Sequence, residues 1–473
     1  MAELLPPFQK GQLVIFIDDN LPHAITKVLP GKIQLDDRIW VREFQKLLPT
    51  MRPPIESNGK KPRQTDLRDR WIKSSLPVRF GLGNWRRYAD GYWPAQPRTA
   101  IEAEVMQICE IAQDEGTNVT DGLVTSVYKL AIRKCFEGDS IWDSKQSVLV
   151  MKNGTLELDT LSLREHRQDD FATRALHYDY DPDAECPVFE YALNSTIEEA
   201  KDFFQDFAGY CLTTETKYEI AVWLQGVPGS GKSTVLHGLK TMMGDLCGKL
   251  GLADIEMSRF ALNSLPGKRL MISTEQPGGY VRAAHVLNAI ISGETVKVEE
   301  KFHPSFSINP FAKLAWAMNK LPQINSGADN GIFRRVKVIK FPPLEKEMID
   351  YTIKERIEQE GAGILNWALE GLRRVQKRGG FDIPKCVQDA SDSFAKNNDK
   401  ATLFFEECCL RDPEYKTQSS MLYTSYKAWC FDNGYKPQSS HKMAGEWERL
   451  GCTRRRSGGR SFWLGVGLLE SGL

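Results

Sequence analysis

The segment Gly226-Val227-Pro228-Gly229-Ser230-Gly231-Lys232-Ser233-Thr234 sets glycines, a lysine and hydroxyls in the order that a bound phosphate requires. Glycines let successive backbone N–H groups curl around a β-phosphate, and a helix starting there adds the positive end of its dipole. Lys232 is then placed to neutralise β/γ oxygens and Ser233 to ligate a magnesium ion. An apolar run of strand length, Tyr218–Gln225, precedes the loop. A helical pattern follows from Lys232 to about Met243, with Leu236, Leu239 and Met243 inward and Gly244 ending it. A chance match in an ordinary loop is the alternative, and both flanks argue against it.

Three further positions have types that suit phosphate chemistry. Glu275 follows the apolar stretch Lys268–Thr274, where a carboxylate at a strand tip would polarise an attacking water. Asn319 follows Ala312–Met318, where an amide would hold that water or sense a γ-phosphate. Arg334 and Arg335 precede the strand-like Val336–Phe341 and would stabilise charge developing in a neighbouring subunit's site. Each alone is also an ordinary surface acid, turn amide or solvated pair. The order loop, Glu, Asn, Arg is far more specific than any member. A phosphate loop also suits a nucleotide kinase, a GTPase or a transporter ATPase, but no lid or acceptor pocket for a kinase is visible.

The elements that must carry these residues divide the chain. Residues 11–48 read as short strands with a helix around Arg42–Leu48, and 49–66 as a linker. From about 80 the chain is aromatic and turn-rich, then helical through 99–136, with strands at Val148–Met151 and Leu156–Leu158 and a helix at Glu198–Tyr210. Strands and helices alternate over 215–345, the pattern of an α/β fold. A helical tail, Lys346–Lys377, leads to a linker from about 378 to 400. Near the end, Leu422, Tyr423, Tyr426, Trp429 and Cys430 share a helical face, and a second helix holds Trp447 and Leu450. Two strands then flank Ser457-Gly458-Gly459, so the order matches a winged helix.

Formal charge is zero, so total charge says nothing about a nucleic-acid partner. Its distribution says more: residues 52–98 hold eleven Lys/Arg against four Asp/Glu, and 436–470 hold seven against three. Both stretches are compatible with backbone-phosphate binding or with solvated faces. Ten cysteines lie scattered without a CxxC pair, and adjacent Cys408–Cys409 reads as part of a helix turn, so a zinc site is not expected. Neither a signal peptide nor a membrane-length apolar run is visible, which predicts a soluble protein of the cytoplasm.

From Phe80 to Leu468 the sequence resembles a superfamily 3 helicase, specifically the helicase part of phage, plasmid and poxvirus-type primase–helicases. The resemblance is carried by NGTLELDT (Asn153–Thr160), HYDYDPDAECPVF (His177–Phe189), ISGETVKVEEKF, WAMNKLPQI, IFRRVKVIKFP, GAGILNWALEGL (Gly361–Leu372) and LYTSYKAWCFDNGYKPQSS. It implies a small N-terminal module (1–79), a helical α+β domain (80–214), an AAA+-type P-loop core (215–345), a helical tail with linker (346–400) and a winged helix (401–473). Lys232 and Ser233 match the Walker A positions, Glu275 the Walker B acid and Asn319 the sensor. Arg335 matches the arginine finger, with Arg334 the alternative.

The same resemblance implies a homo-oligomer, a hexameric ring, that uses ATP and Mg2+, moves 3′ to 5′ on DNA and works beside a separate primase. A family hairpin pointing into the ring maps to about Gly293–Phe306, which would bring Lys297, Lys301 and His303 to single-stranded DNA. Lys297 and Lys301 also read as an exposed hairpin balanced by Glu299 and Glu300. Arg454, Arg455, Arg456 and Arg460 flank the Gly-Gly turn, where a wing would meet duplex phosphates or stay solvated. Two departures stand out. Thr274, where many relatives carry a second acid, leaves Glu275 alone, and the eighty-odd leading residues are too few for a catalytic primase. Asp18 and Asp19 point to opposite faces of a strand and suit a shared metal poorly. The rival functions are a non-translocating DNA-binding ATPase or replication initiator, a P-loop kinase, and a winged-helix protein with a dead nucleotide site.

Overall fold

The computed structural model describes residues 61–469 apart from 146, 277–279, 282–283, 300–304 and 325–330, together with the backbone of five strands between 13 and 49. The chain divides into two compact units, one of residues 1–89 and 93–141, the other of 90–92 and 142–473.

In the first unit the five leading strands form an antiparallel sheet ordered Ile39–Val41, Lys32–Leu35, Pro22–Leu29, Leu13–Phe16, Leu47–Pro49. The helix expected around Arg42–Leu48 is replaced at its end by that last strand, while 42–46, like Asp18 and Asp19, lie outside the described residues. The expected helix over 99–136 is two helices, Arg98–Ile111 and Asp121–Cys135. Gly116 at φ 80° ends the first turn series, and the Thr120 hydroxyl accepts from Leu123 N at 3.2 Å to start the second. Trp71 and Trp85, edge to face at 5.0 Å, centre the core.

The arginines of the basic N-terminal stretch are largely spoken for inside this unit. Arg70 pairs with Glu115 at 2.7 Å, Arg79 with Glu137 at 3.0 Å, and Arg87 with Glu104 at 2.6 Å. Arg86 is buried and donates to the Gly81 and Trp93 carbonyls. Of the acids that answer these arginines, Glu104 stands on the first helix, Glu115 in the turn that follows it and Glu137 just past the second helix.

The second unit is built on a five-stranded parallel sheet: β1 (Ala221–Gly226), β2 (Cys247–Lys249), β3 (Leu270–Ser273), β4 (Lys313–Met318) and β5 (Val336–Phe341). Their order is β2-β3-β4-β1-β5, every pairing parallel. Such strands must be covered on both faces, which is why they read as continuous apolar runs. Val222 and Leu224 face one buried cluster, shared with helix α1 (Lys232–Met243) and helix α3 (Gly361–Arg378). Ala221 and Trp223 face the other, where Trp223 stacks on Trp316 at 6.0 Å. Short helix α2 (Ile353–Ile357) precedes α3, so the expected continuous helical tail is broken into pieces.

The expected linker at 378–400 instead contains helix α4 (Lys385–Asn398). Val387, Ala390, Ser391 and Phe394 form its buried stripe, a 3–4 spacing in which the serine disguises the apolar pattern. As the outer strand, β5 leaves backbone groups unpaired, and α4 covers them: Ser391 Oγ accepts from Val338 N at 3.0 Å. At the chain's end come helices Lys400–Cys408, Ser419–Asp432 and Ser440–Arg449, around Phe404, Tyr426, Trp429, Trp447 and Trp463. Strands Lys416–Gln418, Arg460–Leu464 and Thr453–Ser457 form an antiparallel sheet in that order. Cys408 ends a helix and Cys409 opens a strand, so the two do not share a helix turn.

Candidate functional site

The nine residues from Gly226 to Thr234 run from the last residue of β1 through the connecting loop into the first turn of α1, as their order predicts. Gly231 stands at φ 84°, a left-handed conformation open to glycine, and a Cβ there would lie 2.6 Å from Thr196 Cγ2. Val227, Pro228 and Gly229 are exposed while Ser230 is buried, so the loop's crest faces outward over a fixed base. Within the first turn of α1, Thr234 N and Val235 N both donate to Gly231 O, at 3.0 and 3.1 Å, while a helix start leaves its earliest N–H groups without intrahelical acceptors. Lys232 Nζ donates to Gly226 O and Val227 O, each at 2.7 Å, and to Ser230 Oγ at 3.2 Å. Burial holds its pKa below the ordinary lysine value. A cation so wrapped by neutral acceptors is preorganised to exchange them for phosphate oxygens.

Parallel register brings the next two positions to the same edge. Gln225 pairs with Met318 and Ser273 with Trp316, so Gly226, Asn319 and Glu275 all leave the carboxyl ends of three adjacent strands. Glu275 and Asn319 are both exposed there, and Ser273 Oγ donates to the Glu275 carbonyl at 3.1 Å, fixing the strand exit. This is the edge at which open α/β sheets bind ligands. Ser233 and Glu275 are hard oxygen donors of the kind a magnesium ion takes while keeping several waters. Lys354 Nζ donates to Ser233 Oγ at 3.2 Å, so an ammonium group already shares that hydroxyl.

Arg334 and Arg335 lie at the opposite edge, in the turn Ile332–Arg335 before β5, whose Val336 pairs with Ala221 at the start of β1. They point differently. Arg335, favoured by sequence as the residue reaching a neighbour, is buried, with Nη2 at 2.8 Å from Glu219 Oε2 and Nη1 at 3.4 Å from Asn288 Oδ1. Arg334 is 71% exposed and only grazes the same Glu219 oxygen at 3.4 Å. Glu219 itself adopts φ 44°, a left-handed conformation rare for a side chain of its size. Neither Glu219 nor Asn288 is marked by any motif, and neither was expected.

The hairpin expected at about Gly293–Phe306 is a two-stranded antiparallel ribbon, Val296–Val298 with Phe306–Ile308. Lys297 is exposed at 64% and lies 3.5 Å from Glu299, which also faces Arg259 at 3.8 Å. Lys301 and His303 lie outside the described residues. In the terminal ribbon, Arg454, Arg455, Arg456 and Arg460 are all exposed beside the turn at Gly458 and Gly459 (φ 57° and 74°), the two positive angles that a tight hairpin needs. Arg454 is steadied by Ser461 Oγ at 2.9 Å. Among the described residues no helix is long and apolar enough to cross a membrane.

Three family models match parts of the chain: "D5 N terminal like" over 67–198, a family of unknown function (DUF5906) over 224–335, and "Poxvirus D5 protein-like" over 396–445. The chain is 24% identical over 336 residues to "Putative helicase 121R" of Invertebrate iridescent virus 3. That match takes in 61% of this chain and spans 35% of the relative's length. Among solved structures, an A-form apo structure of the NrS-1 C-terminal region aligns with TM-score 0.49 and 12% identity, covering 86% of this chain and all of that one. A second, of its residues 305–718, gives 0.46 and 12% over 79% and 81%. With a D5 N-terminal-like part ahead of the phosphate loop and a poxvirus D5-like part behind the sheet, the chain is similar to the phage and viral primase–helicase family on both sides of that sheet.

Proposed function

We propose that this chain is an ATP-dependent DNA helicase acting in the replication of a phage, plasmid or other mobile element, as a ring with ATP hydrolysed between subunits. One observation carries the reading: the phosphate loop and the exposed arginine leave opposite edges of one sheet. Six residues at about 3.3 Å each separate them by roughly 20 Å, too far for Arg334 to serve its own chain's loop. An adjacent subunit's loop is then its natural target. In the AAA+-type core, residues 215–345, Lys232 holds β/γ oxygens, Glu275 polarises water and Asn319 orients it. Magnesium, when bound at Ser233 with Glu275 nearby, would supply charge neutralisation on the phosphates. Arg334 reaches across, while Arg335 and Glu219 hold the turn that presents it.

The ribbon bearing Lys297, with Lys301 and His303 beyond it, is proposed to contact single-stranded DNA in the ring channel, with movement 3′ to 5′ as in the family resembled. Residues 401–473, with the helix order and three-stranded sheet of a winged helix, are proposed to meet duplex DNA through Arg454, Arg455, Arg456 and Arg460. Six subunits and a separate primase partner complete the proposal. The decisive experiment is strand displacement on forked DNA with ATP. Wild-type protein unwinds and Lys232→Ala does not, with circular dichroism unchanged. Unwinding by that variant refutes the site, whereas DNA-stimulated hydrolysis by wild type without unwinding favours the non-translocating initiator.

A further inference from the structure

Helix α2 lies along α1 with matched spacing. Ser233 and His237, one turn apart on α1, face Lys354 and Glu358 at and just beyond α2: Lys354 Nζ is 3.2 Å from Ser233 Oγ, and His237 Nε2 is 3.2 Å from Glu358 Oε1. His237 also meets the Lys354 backbone. Ile357, fully buried, anchors α2 in the core beneath, and the segment leading to it places Leu344 3.6 Å from where a Gly231 Cβ would stand. The stretch 344–358 therefore forms one wall of the loop's mouth, and its lysine is aimed at the hydroxyl expected beside the nucleotide's metal.

Two ammonium groups thus converge on this mouth, Lys232 wrapped by the loop's own carbonyls and Lys354 held by a hydroxyl. A hydroxyl is a weak partner for a full positive charge; a polyphosphate is a far stronger one. We propose that Lys354 is a phosphate-binding residue supplied in cis from outside the loop, contacting the nucleoside triphosphate on the Ser233 side. Leaving Ser233 for phosphate, it frees that hydroxyl for a metal and draws α2, and α3 behind it, into register with nucleotide occupancy. The inference rests on the nucleotide reading of the loop.

The test is equilibrium binding of a fluorescent ATP analogue to the full chain, with EDTA and with magnesium, alongside hydrogen exchange over 353–358. Lys354→Ala is expected to weaken binding about tenfold or more in both buffers, the loss of one charge-assisted contact, and to abolish nucleotide-induced protection of α2. Lys354→Arg keeps affinity within about threefold. An unchanged affinity for Lys354→Ala, or a tighter one from a lysine that merely blocks the metal, overturns the proposal. Lys232→Ala is the control: if it retains full binding, the nucleotide site itself is wrong; if it loses binding while Lys354→Ala does not, only this inference falls. Melting temperatures of each variant, expected to match wild type, separate lost contacts from lost fold.

Discussion

The two edges of the central sheet treat positive charge in opposite ways. At the carboxyl edge Lys232 is encircled by backbone and hydroxyl oxygens that a ligand can replace. At the amino edge cations are locked into the fold. Lys313, first in β4, donates to Thr213 O at 2.7 Å beneath the Tyr210 ring, and Arg269, just before β3, donates to Val148 O at 2.7 Å and to Leu212 O. Of these, the Leu212 and Thr213 carbonyls lie just past the end of helix Lys201–Cys211, where its negative pole welcomes a cation. Arg335 is held by Glu219 in the same manner. Arg334, 71% exposed, is held more loosely, by the same glutamate at 3.4 Å. A parallel sheet makes this division natural: its carboxyl ends open into loops that receive ligands, and its amino ends are where connections are packed down.

The comparison breaks first at Lys232. Replacing it with Ala should reduce ATP hydrolysis on the order of 10³-fold, measured by phosphate release; a loss of less than tenfold would remove the contrast between edges. Next comes Arg334→Ala, expected to lower hydrolysis about 10³-fold while ATP binding persists. Mixing it with Lys232→Ala subunits should restore part of the rate, because hybrid boundaries pair an intact loop with an intact arginine. No restoration, or full activity in a monomer, would count against a shared site.

Arg335→Ala sharpens the distinction between neighbours in sequence. It should cost stability, on the order of 1–3 kcal/mol, discounted from a fully buried pair because Glu219 is one-third exposed. Denaturant midpoints would report it. A variant that keeps stability yet loses hydrolysis, rescued in mixed rings, would return the finger role to Arg335. The smallest effect is on pH dependence. Burial pushes Lys313 down to about 7 from 10.5, so between those values the unfolded chain binds the extra proton and folding gains stability as pH rises. Below about 7 both states are protonated and the dependence vanishes. Lys313→Met should flatten the rise seen in urea midpoints between pH 7 and 9.

How much of this was visible beforehand follows from how local each cause is. The loop was legible because its glycines, lysine and hydroxyls act through contiguous backbone, with apolar strand and helix on either side. Charge counting over 52–98 left open what these arginines meet, since the acids that pair with Arg70, Arg79 and Arg87 arrive later in the chain and meet them only through folding. Over 436–470 the structure leaves Arg454, Arg455, Arg456 and Arg460 exposed beside a two-residue turn. Helix α4 was missed since a serine in its stripe looked like linker, yet it is the hydroxyl that satisfies β5.

Sequence by itself determined the strand-loop-helix unit, the strand tips bearing Glu275 and Asn319, and the terminal helices and ribbon, because short-range periodicity and turn chemistry specify each. Tertiary structure alone decided which of two adjacent arginines faces out, which lysines are buried at the far edge, and that Lys354 meets Ser233 across 121 positions. Those outcomes depend on pairings between distant segments, where burial and the nearest oxygen, not residue type, set what a charge can do.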